Sequence, residues 1–205
     1  MSYQRYLKPI IYATVLLWSI VLWLSHEPVQ SSWYKPLSTV ITVVIYLVMA
    51  FDLWLWKLPF LRWFVKRPVI DGTWKVVILS KWIDPSTGQS IEPINGFMVI
   101  RQTLSTLSMR LMTVESTSAL VGTEIICSPD GLYCICGVYR NEPHFEFRFR
   151  SEIHYGGLWL QISEDNDSKK ITGHYWTDRN SVGTITLTNR NTHKFQSFEA
   201  AKAAL

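Results

Sequence analysis

The sequence predicts a membrane-anchored all-β protein: an α-helical hairpin of two transmembrane helices, followed by an antiparallel closed β-barrel of about eight strands. Three observations predict it. Residues 1–56 hold two long apolar runs, while the rest of the chain alternates apolar and polar residues with period two. Turn signals punctuate that second part at intervals of about ten residues, the spacing of short antiparallel strands. Mean hydropathy is slightly positive, above what a soluble chain of this size usually shows, and the two N-terminal runs supply the excess.

The first run, Ile10–Leu24, reads IIYATVLLWSIVLWL, and no charge falls between Pro9 and Ser25. The second, Pro36–Phe51, is also uncharged and stays apolar to Trp56. Crossing a hydrocarbon core needs roughly 20 helical residues, which the second run reaches with Asp52 at the interface and the first reaches with its flanks. In hydrocarbon the backbone must bond to itself, so both runs are predicted helical. A cleaved signal peptide is the alternative for the first run. Its end, Ser25-His26-Glu27-Pro28, carries no small-residue cleavage pattern, and a second apolar run follows at once. His26–Lys35 is the predicted hairpin turn. Trp23, Trp33, Tyr34, Trp54 and Trp56 fall near the span ends, where amphipathic rings favour the headgroup layer. Arg5 and Lys8 precede the hairpin, Lys57, Arg62, Lys66 and Arg67 follow it, and the turn has only Lys35. That asymmetry predicts a multi-pass membrane protein with both termini cytoplasmic.

The predicted organisation is therefore residues 1–56 as anchor, 57–68 as a basic juxtamembrane connector (KLPFLRWFVKRP), 69–195 as the barrel and 196–205 as a C-terminal tail that forms a short helix or frays. Nine runs read as strands: Thr73–Trp82, Phe97–Thr103, Leu107–Val114, Leu120–Cys127, Leu132–Arg140, His144–Ile153, Leu158–Ser163, Lys170–Thr177 and Gly183–Asn189. Asp84–Gly88, Pro129-Asp130-Gly131, Asn141-Glu142-Pro143, Gly156-Gly157 and Glu164–Ser168 read as turns. The cleanest alternation is His144–Arg150, with Phe145, Phe147 and Phe149 on one face and His144, Glu146, Arg148 and Arg150 on the other. Closure into a barrel removes exposed sheet edges; a two-sheet sandwich is the structural alternative.

Three cysteines, Cys127, Cys134 and Cys136, are too few and too odd for a disulfide framework. They read as small buried hydrophobes, and Cys134, Cys136 and His144 lack a fourth ligand for zinc at usual spacing. No G-x-S-x-G, HExxH, P-loop or GxGxxG pattern occurs, so the sequence points away from an enzyme and from any resident cofactor.

The most suggestive segment is Gly173–Leu187, GHYWTDRNSVGTITL. In a strand Gly173, Tyr175, Thr177 and Arg179 share one face, placing an aromatic plane, a hydroxyl and a guanidinium in a row. That set suits a nucleotide, with stacking on bases and an arginine fork on phosphate. On local pattern alone, a core tyrosine, a surface arginine and an ordinary turn are the stronger reading. Arg110 shares a face with Met112 and Val114, and Arg101 with Phe97 and Val99; each lies outward or points inward onto an anion. Trp159 alternates with Gln161 and is a candidate for the interior, and Tyr139 faces away from Arg140. The candidate ligand-binding residues are thus Tyr175, Thr177, Arg179, Trp159, Tyr139 and Arg110.

Two short N-terminal helices, a basic connector, Asp71-Gly72-Thr73-Trp74 opening the first strand, and Gly173–Arg179 leading to Gly183-Thr184-Ile185-Thr186-Leu187 together resemble the two-helix, β-strand-rich membrane effectors of bacterial CBASS antiphage signalling. The resemblance implies a minimal barrel that receives a cyclic dinucleotide made by an associated nucleotidyltransferase. It further implies homo-oligomerisation on binding, disruption of the inner membrane and death of the infected cell. The expected partners are a cyclic dinucleotide, the bilayer and copies of the chain itself, with no DNA or RNA. The competing expectation is an anchored calycin-like carrier of a lipid or other apolar ligand, without killing activity.

Overall fold

The computed structural model describes residues 4–25, 35–61, 65–83, 88–165 and 168–205. The hairpin turn at 26–34, with Trp33 and Tyr34, and most of the Asp84–Gly88 turn lie outside the described residues, as does Arg62. The chain forms two units, residues 1–66 and 67–205.

In the first unit, α1 runs Gln4–Ser25 and α2 runs Lys35–Leu53, with a single 3-10 turn at Leu55–Lys57. Both helices leave large apolar side chains exposed, among them Val15, Leu16, Trp23 and Leu24 of α1 and Ile45, Tyr46 and Met49 of α2. Among the described residues no helix is long and apolar enough to cross a membrane. Trp56 is fully buried, and the Lys57 ammonium sits 5.7 Å from its ring centroid.

The second unit is a closed barrel of eight antiparallel strands in sequence order. They are β1 (Gly72–Ser80), β2 (Ile94–Gln102), β3 (Leu107–Thr113), β4 (Ser116–Cys127), β5 (Tyr133–Pro143), β6 (His154–Asp165), β7 (Ser168–Thr177) and β8 (Val182–Asn191). β1 pairs β8 to close the ring, for example Val76 opposite Leu187 and Ile78 opposite Ile185. Alternation then decides what lies inside: Trp74, Val76, Met98, Ile100, Met109, Ile135, Leu160, Ile171 and Leu187 are all at most 2% exposed and form one core.

One end of this core is sealed by the incoming chain. The Gln102 side-chain carbonyl accepts the Ile70 N–H at 2.9 Å and its amide donates to the Pro68 carbonyl at 2.9 Å. The Trp74 indole N–H donates to the Ile70 carbonyl at 2.8 Å. Asp71 lies between Arg190 at 3.3 Å and Lys194 at 3.1 Å, which ties the start of β1 to the end of β8. Gly72 takes φ +134°, and a Cβ there would lie 2.3 Å from the Asn191 carbonyl oxygen, so the Asp71-Gly72 step admits no side chain.

The tail is an ordered helix, α3 (Phe198–Ala204), N-capped by the Ser197 hydroxyl on the Ala200 N–H. It covers the outer face of β2 and β3. Phe97, Val99 and Met112 are buried there against Ala201, with Phe195, Phe198 and Leu205 alongside. The Phe97–Phe198 ring centroids are 5.3 Å apart. The face shared by Arg101, Phe97 and Val99 is therefore an outer one, and both Arg101 and Arg110 are exposed.

Three expectations are corrected, the first being that Asn141-Glu142-Pro143 is not a turn but the end of β5. His144–Ile153 is not a strand. β5 runs through Asn141-Glu142-Pro143, and the His144 N–H makes a last bond to the Glu115 carbonyl, where β4 begins and pairing ends. With no partner left, Phe145–Phe147 folds into a 3-10 turn, and Phe145 and Phe149 are 85% exposed. Gly156-Gly157 is not a turn but lies within β6; the loss of the His144–Ile153 strand brings the number to eight.

Candidate ligand site at the polar end of the barrel

Antiparallel order places the β3–β4, β5–β6 and β7–β8 connections at the end opposite the chain's entry. There the inward positions change from apolar to polar. Ser118 of β4 stands opposite Asn141 of β5, which stands opposite His154 of β6. The Asn141 side-chain amide donates to the Ser118 hydroxyl at 2.8 Å and the Ser116 hydroxyl at 3.0 Å. Thr113 completes this side, its hydroxyl 3.2 Å from that of Ser116.

Two tyrosines cross the same end, each seated on a glycine of the next strand. Tyr139 of β5 faces Gly156 of β6, and Tyr175 of β7 faces Gly183 of β8. A Cβ on Gly156 would come within 2.4 Å of the Tyr139 hydroxyl, and one on Gly183 within 2.6 Å of the Tyr175 ring. The missing side chains are what let the rings lie flat across the sheet. The Tyr139 hydroxyl reaches the Trp176 carbonyl at 3.5 Å, a long contact.

The β7–β8 turn supplies the rim. The Thr177 and Ser181 hydroxyls are 2.7 Å apart, and Asn180 takes the left-handed conformation at φ 58°. Asp178 accepts the Tyr155 N–H at 3.0 Å, and the Arg179 guanidinium reaches the Ser151 hydroxyl at 3.5 Å. Burial pushes the Tyr139 phenol far above its ordinary range, reinforced by Tyr175 and Asp178 and opposed by Arg179. Burial likewise lowers His154 below its ordinary 6.5, opposed by the Glu152 carbonyl, deepened by Arg179 and opposed by Asp178. His154 is thus held neutral at pH 7, and the Glu152 carbonyl, 3.0 Å from Nδ1, places its proton on that nitrogen.

The sequence candidates divide. Tyr139, Tyr175 and Thr177 meet on the inner face at this end, and Arg179 joins them from the turn, beyond the strand it was expected to continue. Trp159 does not. It is 40% exposed and points outward, because Leu158, Leu160 and Ile162 hold the inward phase of β6. Arg110 also lies outside, in a groove across β3, β4 and β5. Asn141, Ser118 and His154 were missed, although each is a polar residue in the inward phase of an apolar-lined strand. Among the described residues no cluster of metal-ligating groups occurs.

Fold and polar end together define a small, solid-cored antiparallel barrel with one polar, aromatic end. Residues 65–189 match the family described as Cap15, cyclic dinucleotide receptor domain, and the chain belongs to that family of CBASS effectors, which makes it a cyclic-dinucleotide-binding protein. It is 24% identical over 174 residues to CD-NTase-associated protein 15 of Staphylococcus schleiferi, covering 85% of this chain and 90% of that one. A solved redesigned β-barrel overlaps 59% of this chain and 91% of its own at 14% identity and a TM-score of 0.25, too low to carry an argument.

Proposed function

We propose that this protein is a membrane effector of antiphage defence, in which a cyclic dinucleotide binds the polar end of a cytoplasmic barrel, drives self-association, and leads the two helices to disrupt the inner membrane and kill the infected cell. The observation that carries the ligand site is the convergence of Tyr139, Tyr175, Thr177 and Arg179 at one end of a packed barrel. Two aromatic faces suit two bases, and a guanidinium at the rim suits the phosphodiester ring. The ligand docks over this end and not within the barrel, since Trp74, Met98, Ile100, Leu160 and Leu187 fill the interior. The same packing disfavours the lipid carrier, which needs an emptied apolar interior.

The membrane role is supported by α1 and α2. Their exposed Leu, Ile, Val and Trp side chains have no counterpart in a water-facing helix pair. Tethering to a plane raises the effective concentration for assembly, provided the ligand binds the assembled state more tightly than the resting one.

The test is a melting screen of the full chain in maltoside micelles against a panel of cyclic dinucleotides, followed by dye release from reconstituted vesicles. One selective stabiliser that also triggers release is the expected outcome. Stabilisation without release would remove the membrane-disruption step, and no stabilisation by any of them would remove the site.

A further inference from the structure

The outer wall of the barrel carries a groove of about 490 Å³ that the ligand reading does not use. Its floor is Thr117, Ala119 and Val121 of β4, all short side chains. Ala119 stands directly opposite Arg110 of β3 on one side and Arg140 of β5 on the other. The two guanidiniums therefore flank a small residue, their strands roughly 10 Å apart at two inter-strand spacings. Arg148 closes one end from the β5–β6 connection, its Nε–H donating to the Pro143 carbonyl at 3.2 Å. Phe145, 85% exposed, supplies an aromatic wall.

The charges do not balance. Three arginines face one carboxylate, Glu142, which lies 3.0 Å from Arg148 and 3.7 Å from Arg140. Both pairs are about half exposed, so water screens them and Glu142 yields readily to a better anion. Arg110 makes no hydrogen bond or ion pair among the described residues. A sheet surface that only needed solubility would intersperse its charges; here like charges stand across a hollow floor of small residues.

We propose that this groove is a second anion site, which takes a phosphate ester between Arg110, Arg140 and Arg148, with Phe145 against the group the ester carries. Arginine forks match phosphate oxygens two at a time, and the groove's volume suits a ligand of nucleotide size. The ester comes either from a soluble phosphate or from a phospholipid headgroup. The site does not depend on the ligand reading of the barrel end, since none of its residues belongs to that cluster.

The probe is inorganic pyrophosphate, titrated at low ionic strength into the full chain in maltoside micelles and followed by phosphorus NMR line broadening. Wild type is expected to bind, Arg110→Ala to bind about tenfold more weakly, and Arg110→Ala/Arg148→Ala more weakly still, while Lys170→Ala, at an exposed position of β7 outside both clusters, binds as wild type. Mixed micelles with an acidic phospholipid identify the source: competition with pyrophosphate names the headgroup, and its absence names a soluble ester. Silence of wild type, or pyrophosphate binding that ignores Arg110 and Arg148, overturns the proposal. If Arg179→Ala alone weakens binding, the anion sits at the barrel end and the groove is only a solvated surface.

Discussion

Gly156→Ala is the sharpest perturbation of the candidate site, because one methyl group meets two different obstacles. Its Cβ would fall 2.4 Å from the Tyr139 ring carbon and hydroxyl and 2.4 Å from the Trp176 carbonyl oxygen. The first obstacle is a side chain that can swing away; the second is backbone held in the β6–β7 ladder. Overpacking of this kind costs about 1–3 kcal/mol. For a barrel of this size that corresponds to a fall in Tm of roughly 3–12 °C. The assay is tryptophan fluorescence of the full chain in maltoside micelles during heating. In a double-mutant cycle, the cost of Gly156→Ala should be smaller in the Tyr139→Ala background but not vanish, since the carbonyl clash persists. Ligand affinity should fall in Gly156→Ala beyond what the stability loss explains, because the displaced ring is part of the binding face. A variant as stable as wild type, binding as well as wild type, would refute the glycine-seated tyrosine as the organiser of this end.

Other outcomes follow from the same geometry. His154 has a folded pKa below its unfolded 6.5, so its contribution is complete above that pH and is lost as pH falls from 6.5 through the folded value; urea midpoints at pH 7.5 and 5.5 should differ in wild type and converge in His154→Gln. Asn141→Ala removes the donors to buried Ser118 and half-buried Ser116 and should cost about 1–3 kcal/mol in urea unfolding, whereas Asn141→Asp should cost more by burying a charge. Phe145→Ser and Phe149→Ser together should leave Tm unchanged within about 1 °C, since both rings already face solvent; a large drop would restore the strand expected there. Asp71→Asn should lower stability by weakening the tie to Arg190 and Lys194, read as easier proteolysis at the start of β1.

The barrel was legible because most strands bury one face, and a period of two survives in the chain. His144–Arg150 alternates as well as any of them, yet alternation does not reveal whether a partner strand extends far enough. Here pairing with β4 ends at Ser116, opposite Pro143, and the run folds back on itself. Reading Gly156-Gly157 as a turn had a similar origin, since two glycines signal both a bend and a surface on which a neighbouring ring lies. It also uncoupled Trp159 from the phase of Leu158. In β2 and β3 both faces are apolar because α3 covers the outer one, so the sequence left Arg101 and Arg110 without a side. The Tyr175–Thr177 stripe was readable from spacing alone. Its neighbours Ser118, Asn141 and His154 come from three other strands, and only the closed ring brings them beside it.

The most direct test of the ligand site is the affinity of the full chain, by calorimetry, for whichever cyclic dinucleotide stabilises it, compared across four proteins. Arg179→Ala and Tyr175→Ala should each bind at least tenfold more weakly than wild type, and Trp159→Ala, on the outer wall, should bind as tightly as wild type. Equal affinities in all four, or a loss confined to Trp159→Ala, would contradict the placement of the ligand at the polar end of the barrel.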